Sequence, residues 1–258
     1  MSDGSTAETL LGRQDLHCHT HMSDGKLTLA EVVAVAAERG VQVGIADHVS
    51  TRYDWMVSTR VKLDRYLDAI DGAPVFRSAE FCWCDTMWGE LPDEVMARFD
   101  YRIGSNHGFW MPDGSVGSPW AERLPEAWKA RTDELMEIIT ANLCDMVRTM
   151  PIEIAAHSTL LPPALTRLEG DVHAWWTDAR EDRYVDALAE SGVALEISNR
   201  YRLPHDRLLA KARQAGVRFS LGSDGHAPHQ VAALDWAAET ARRVGVTDRE
   251  LFVPERKG

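Results

Sequence analysis

Cysteine is scarce: Cys18, Cys82, Cys84 and Cys144 are the only four in 258 residues. They are too few and too irregular for a disulfide framework in a chain of this length. Reduced thiols and a cytoplasmic location are therefore the expectation. Cys82 and Cys84 form one C-x-C pair with no second pair, which leaves a structural zinc site short of ligands. No apolar run approaches the roughly 20 residues that cross a bilayer, which argues against a membrane partner. The first residues lack the basic and then apolar layout of a signal peptide. Residues 1–12 read as a short flexible leader ahead of a single domain spanning 13–258. Positive charge is also in short supply, with 28 Lys and Arg against 40 Asp and Glu and a net charge of −12. Such a chain lacks the field that draws long nucleic acids. Divalent cations bound among acidic and histidine side chains would reverse the sign locally, so a small phosphorylated substrate is compatible with it.

What the sequence does contain is a repeated unit. Seven short apolar runs suit buried strands: 13–19, 41–47, 74–81, 101–107, 152–157, 193–198 and 218–224. Polar residues and a helical pattern follow each. Three runs share one entry, with Gly40, Gly192 and Gly216 each preceding a valine; glycine there suits the left-handed cap that ends a helix. Thr28 and Glu31 form a capping box ahead of Leu29, Val32, Val33 and Ala36, which give one apolar helix face. Asp206 can cap a further helix, and longer helical stretches run near 126–150 and 231–243. Strands alternating with helices imply a parallel sheet with right-handed crossovers. The fold class is α/β, and seven units without a long linker favour a closed or nearly closed barrel.

The polar residues fall at equivalent points. The runs stop on His17 and His19, Asp47 and His48, Glu80, His107, His157, Glu196, and Asp224 and His226. In α/β barrels the C-terminal strand ends form the active site, so these residues are expected around one mouth. His17 and His19 lie two apart on a strand and project to one face while Cys18 projects to the other. Two imidazoles on one face make a metal clip, although a hydrogen-bonded pair in the core would satisfy the same spacing. Glu80 ends its strand among apolar neighbours, and a buried glutamate needs a cation. Asp24, in Ser23-Asp24-Gly25, taken singly reads as a turn residue. Nitrogen and carboxylate donors without sulfur suit zinc, manganese or iron.

The segments His17-Cys18-His19-Thr20, Ser23-Asp24-Gly25, Ala46-Asp47-His48, Ala79-Glu80, Ile103-Gly104-Ser105-Asn106-His107, Ala155-Ala156-His157 and Leu221-Gly222-Ser223-Asp224-Gly225-His226 together resemble the PHP (polymerase and histidinol phosphatase) family. The resemblance runs from about Gln14 to His226. It implies a distorted seven-stranded (β/α)7 barrel with two or three divalent metal ions at the C-terminal strand ends. His17, His19, Glu80 and Asp224 would hold the first ion. Glu80, as a bridge, would join His107 and His157 on the second, and Asp24, His48 and His226 would hold the third. Many relatives have histidine at the position of Asp24, and His21 lies near enough in the loop to compete with it.

Paired ions can lower the pKa of water and aim it in line at phosphorus. Asp47, His226 or a metal-bound water can then protonate the leaving group. Cys18, facing away, takes no part. Asn199 belongs to a Glu-and-Asn stretch comparable to one in histidinol phosphatase-like members. Arg200 and Arg202 in the same stretch either clasp phosphate through their planar forks or lie solvated in the loop; Lys26 and Arg52 are weaker candidates. Phe81, Trp83, Met87 and Trp88 form an aromatic loop better suited to packing under a helix near 90–99 than to stacking on a ligand, and Trp175-Trp176 reads as helix packing. His173, His205 and His229 read as surface residues. The leading expectation is a metal-dependent phosphoric ester hydrolase acting on a small, histidinol phosphate-like monoester. The alternatives are a phosphodiesterase or exonuclease on short nucleotides, or a metal-loaded regulatory module.

Overall fold

The computed structural model describes residues 9–257. Residues 1–8 of the expected leader lie outside that range. The remainder of it is tied down: Thr9 Oγ1 and the Leu10 and Leu11 amides donate to the Asp248 carboxylate at 2.9–3.0 Å.

Each of the seven apolar runs contains strand. They are β1 (Gln14–Cys18), β2 (Gln42–Ile45) with β3 (His48–Val49), β4 (Phe76–Arg77) with β5 (Glu80–Cys82), and β6 (Ile103–Ser105). A small antiparallel hairpin, β7 (Phe109–Trp110) and β8 (Val116–Gly117), is inserted before β9 (Ile154–Ala156), β10 (Ala194–Ser198) and β11 (Phe219–Gly222). The second and third runs are each interrupted, so the parallel strands fall into two sheets, ordered β1-β2-β4 and β11-β10-β9-β6-β5-β3.

Helices connect them. After β1 comes α1 (Leu29–Glu38), with the Thr28–Glu31 capping box in place, and after β3 comes α2 (Arg60–Ile70). Two short turns, α3 (Met87–Glu90) and α4 (Asp93–Met96), stand where one helix near 90–99 was expected. The stretch from 126 begins as a 3-10 turn and becomes α5 only at Thr132–Thr149. Short α6 (Pro163–Thr166) and α7 (Val172–Trp175) precede α8 (Asp178–Ser191), α9 (Asp206–Gln214) and α10 (Asp235–Arg243). Gly40, Gly192 and Gly216 all sit at positive φ, as their position before a strand predicts. Asp206 does not cap α9: His205 occupies the cap position, and Asp206 pairs with Arg243 at 2.7 Å.

The expected closed barrel is not found as a continuous ladder. Among the described residues β1 and β11 do not pair, and only an isolated bridge joins Cys18 to Gly225, with the His19 amide donating to Gly225 O at 3.1 Å. The two sheets nevertheless enclose a shared apolar interior, where Leu16, Phe76, Tyr101, Ile154, Ala194 and Phe252 belong to one cluster. Tyr101 reaches across it to donate to Leu16 O at 2.6 Å. The larger apolar cluster includes the buried faces of α1, α2, α5, α8, α9 and α10.

The seam between the first and last strands is held by a buried carboxylate that sequence reasoning passed over. Asp15 accepts from the amides of His17 (3.2 Å), Ser223 (2.8 Å) and Ala232 (3.0 Å) and from Cys18 Sγ (3.0 Å). Burial pushes its carboxyl up, and these donors only partly offset that. Removing the acceptor would orphan three buried amides at about 1–3 kcal/mol each. Asp15→Ala should therefore lose about 3 kcal/mol or more in urea unfolding. A loss below about 1 kcal/mol would show that the seam does not depend on this carboxylate.

Candidate metal centre

The strand ends converge as expected. His17, His19, Asp24, His48, Glu80, His107, His157, Asp224 and His226 fall into four groups whose nitrogen and carboxylate atoms lie within 4.8 Å of one another. Glu80, 1% exposed, sits at the centre. Its Oε1 faces His157 Nε2 at 2.9 Å and His107 Nε2 at 3.1 Å. Its Oε2 faces His48 Nδ1 at 2.8 Å, His17 Nε2 at 3.5 Å and His19 Nε2 at 3.6 Å. Each carboxylate oxygen thus serves a different set of imidazoles. Asp224 Oδ1 lies 3.3 Å from His19 Nε2 and 3.3 Å from His226 Nδ1. Asp24 Oδ1 lies 3.1 Å from His226 Nε2 and 3.5 Å from His48 Nε2. Asp24, not the exposed His21, joins the cluster.

These contacts are close without being hydrogen bonds in several cases. His17 Nε2, both ring nitrogens of His19, His48 Nδ1 and Glu80 Oε2 are buried with no hydrogen-bond partner. Orphaned polar atoms at this depth are costly. Donors around a four-coordinate ion with bonds near 2.1 Å stand about 3.4 Å apart, and the separations here run from 2.8 to 3.6 Å. The donor set therefore fits divalent ions, and all-nitrogen-and-oxygen donors suit zinc, manganese or iron.

The electrostatics agree. Burial alone would raise the Glu80 and Asp224 carboxyls, but surrounding imidazoles hold both well below the usual range. Burial and the neighbouring His48 and His226 charges pull His19 down to about 3. Burial would lower His48 too, yet the Glu80 and Asp24 carboxylates outweigh it and push the group up to about 10.

Supporting contacts fix the rings. Glu196 Oε1 lies 2.6 Å from His17 Nδ1, leaving Nε2 directed at the cluster, and its Oε2 accepts the His157 amide at 2.8 Å. Gly222 makes room for this carboxylate, since a Cβ there would come within 2.1 Å of Glu196 Oε1. Ser105 Oγ holds His107 Nδ1 at 3.1 Å. His157 and Asp224 are both at positive φ (29° and 47°), a strained backbone for such residues that clusters at functional sites.

Three expectations are corrected. Asp47 is fully buried and does not line the cavity; it accepts from the Thr20 amide (2.8 Å), Thr20 Oγ1 (2.6 Å) and Ser23 Oγ (2.5 Å). Asp47 lies in the break between β2 and β3, where these contacts make it back the loop that carries Asp24, while His48, the first residue of β3, turns to the cluster. Asn199 Oδ1 accepts the Ala237 amide at 3.1 Å, near the start of α10, and does not line the cavity. Arg202 is exposed outside the cavity, whereas Arg200 lines it, with Nη1 donating to His226 Nδ1 at 2.6 Å.

The cavity over the cluster encloses about 430 Å³, a small-molecule volume. The rings of Phe81, Trp83 and Trp88 pack, as expected, and do not form its mouth. Trp83 stacks on Trp88 and donates to Asn142 Oδ1, and Phe81 packs edge-on against Phe99. Tyr53, Trp55, Trp120 and Tyr201 line the mouth instead, and Arg52 joins them. No periodicity marks these loop residues, so nothing in their spacing points to them. Trp176 is buried against Tyr184, as expected of helix packing. A second cluster, His173, Glu181 and His205, lies apart. His205, Arg207 and Lys211 already surround the buried Glu181 carboxylate at 2.5–3.2 Å, so it needs no further cation.

No protein-family model and no curated protein matches the chain. Solved structures do. Histidinol phosphate phosphatase from Lactococcus lactis, solved with zinc, L-histidinol and phosphate, superposes with a TM-score of 0.62 at 16% identity, covering 94% of this chain and 99% of that one. A putative histidinol phosphatase from Listeria monocytogenes gives a TM-score of 0.66 at 12% identity, covering 85% and 97%. At these identities the likeness establishes the shared fold.

The two-sided position of Glu80 predicts that Glu80→Ala loses more than one metal equivalent by elemental analysis, while Asp24→Ala loses one at most. Full retention in Glu80→Ala would exclude the bridge. Glu196→Gln should weaken zinc affinity by about 10- to 100-fold while the far-UV spectrum stays unchanged.

Proposed function

We propose that this chain is a metal-dependent phosphoesterase that hydrolyses a small phosphomonoester. The observation that carries the reading is Glu80, a solvent-excluded carboxylate whose two oxygens face separate imidazole sets while ring nitrogens of His17, His19 and His48 beside it have no hydrogen-bond partner. His17, His19, Glu80 and Asp224 would hold one divalent ion, Glu80, His107 and His157 a second, and Asp24, His48 and His226 a third, within seven units read as a distorted barrel. Bound there, divalent ions supply Lewis acidity, a lowered pKa for water and neutralisation of phosphoryl charge.

The chain's own groups divide the remaining work. Arg200, beside Asp224 and His226, is placed to take a non-bridging phosphoryl oxygen as charge builds. Asp47 is enclosed by Thr20 and Ser23, which leaves His226, opening on the cavity, or a water held at the ions to protonate the leaving group. Cys18 is turned toward Asp15 and Ser223, and burial pushes its thiol well up, so no covalent thiol chemistry is invoked.

A monoester is favoured over a long polyanion by the net charge of −12 and by a small, walled cavity. The histidinol and phosphate held by the Lactococcus protein support a substrate of this size. A purely regulatory module is disfavoured because all nine ligand positions carry competent residues.

Zinc- or manganese-loaded protein should hydrolyse p-nitrophenyl phosphate and lose that activity with EDTA. Single-stranded oligonucleotides at equal concentration should be cleaved slowly or not at all, and rapid degradation at physiological salt would replace this reading with the nuclease one. Arg200→Ala should cut kcat/KM by about ten- to a hundredfold with metal content unchanged. Arg202→Ala should leave it unaltered, because Arg202 stands outside the cavity.

A further inference from the structure

The mouth of the cavity carries a recognition surface that hydrolysis of phosphate by itself does not need. Tyr53, Trp55 and Trp120 are 51%, 48% and 44% exposed, unusual for large rings gathered at one opening. Tyr53 and Trp55 are stacked, with centroids 5.5 Å apart and planes 10° from parallel. Trp55 stands edge-on to His48 at 5.9 Å, and Trp120, from the loop after the β7–β8 hairpin, lies 5.4 Å from His107. Flat surfaces from two loops, one after β3 and one after β8, therefore stand beside histidines of the cluster and line the same cavity. Stacking is the interaction such exposed rings offer.

Arg52 stands among them. Its loop is fixed from behind: Ser50 Oγ and the Thr51 amide both donate to Asp85 Oδ2 at 2.6 Å, and the Arg52 amide donates to Ser50 Oγ at 3.2 Å. Among the described residues the guanidinium has no carboxylate partner, and its one polar contact is Cys82 Sγ at 4.0 Å, a thiol that burial pushes up and keeps neutral. Arg200, by contrast, is occupied with Asp224 and His226. The only carboxylates among the residues lining the cavity are Asp24 and Asp224, and both are turned to imidazoles of the cluster. An ammonium group on a substrate would find no acidic partner here and would meet a free guanidinium instead.

Resting on the phosphoesterase reading, we propose that the preferred ester carries its phosphate on an alcohol built around a planar ring with a second anionic group. The ring stacks between Trp55 and Trp120, the second anion pairs with Arg52, and amine-bearing alcohols are selected against. An unpaired guanidinium beside a carboxylate or phosphate makes a charge-assisted contact, often bidentate. The same group repels an ammonium, so attraction and repulsion act together on specificity.

The test uses non-hydrolysable ligands on the zinc-loaded full chain, read by tryptophan fluorescence: phenylphosphonate, 4-carboxyphenylphosphonate, 4-(aminomethyl)phenylphosphonate and cyclohexylphosphonate. The carboxylate ligand should bind about tenfold more tightly than phenylphosphonate. The aminomethyl ligand should bind more weakly than phenylphosphonate, and so should cyclohexylphosphonate. Arg52→Gln should collapse the ratio between the carboxylate and unsubstituted ligands toward one. An aminomethyl ligand that binds as tightly as the carboxylate, a saturated ring that binds as tightly as the flat one, or a ratio untouched by Arg52→Gln would each overturn the proposal. Because binding is read without turnover, an affinity series that holds while p-nitrophenyl phosphate is left intact would sink the phosphoesterase reading and not this one.

Discussion

A carboxylate sealed from water at the centre of five imidazoles is the constraint on which the rest of this molecule depends. Among the described residues no lysine or arginine pairs with Glu80, and burial by itself would drive its proton on. The charge is tolerable only because His17, His19, His48, His107 and His157 stand within 3.6 Å. Those five side chains come from four further apolar runs, so the strands must end in register for the site to exist. The interruptions of the second and third runs serve that register. They shift His48 and Glu80 out of the three-stranded sheet and into the six-stranded one, where the two residues pair directly across β3 and β5.

Around that centre, carboxylates of identical chemistry do different work according to what donates to them. Asp224 and Asp24 face imidazoles and belong to the cluster. Glu196 faces one imidazole and one amide, and orients His17 and His157 from behind. Asp15 and Asp47 face amides, hydroxyls and a thiol, and organise backbone: Asp15 the seam between the first and last strands, Asp47 the loop that delivers Asp24. The ligand-bearing residues are thus held by a second set of acids that never reach the cavity. Strain fits the same picture, since His157, at positive φ, has its backbone amide donating to Glu196 Oε2.

The mouth follows a different logic from the floor. The floor is fixed by buried charge, which admits few alternatives. The mouth is assembled from loops after β3, β8 and β10, where exposed rings and one unpaired guanidinium carry no folding role that demands them. Its supports are indirect. Asn142 of α5 holds Trp83 and the backbone of Trp110 together and so ties the inserted hairpin to the helical layer.

Seven strand units, the helix-ending glycines and the convergence of nine donors were legible in the sequence, because each rests on a local rule: short apolar runs for buried strands, capping chemistry and ligands at strand ends. Asp47, read at a strand end, suggested a catalytic acid, yet it falls in the break between β2 and β3, where Thr20 and Ser23 enclose it. Other features had no local signature. Whether Arg200 or Arg202 enters the cavity depends on how a loop turns after Ser198, and Asn199 was drawn off by an amide of α10 thirty-eight positions away. The aromatic wall came from Trp55 and Trp120, not from the run around Trp83, because packing against Asn142 and Trp88 turned the latter inward. By itself the sequence determined which side chains meet at the strand ends, since a strand dictates the side of each residue. Only the tertiary structure decided which loop residues look into the opening, because contacts made far along the chain set their direction.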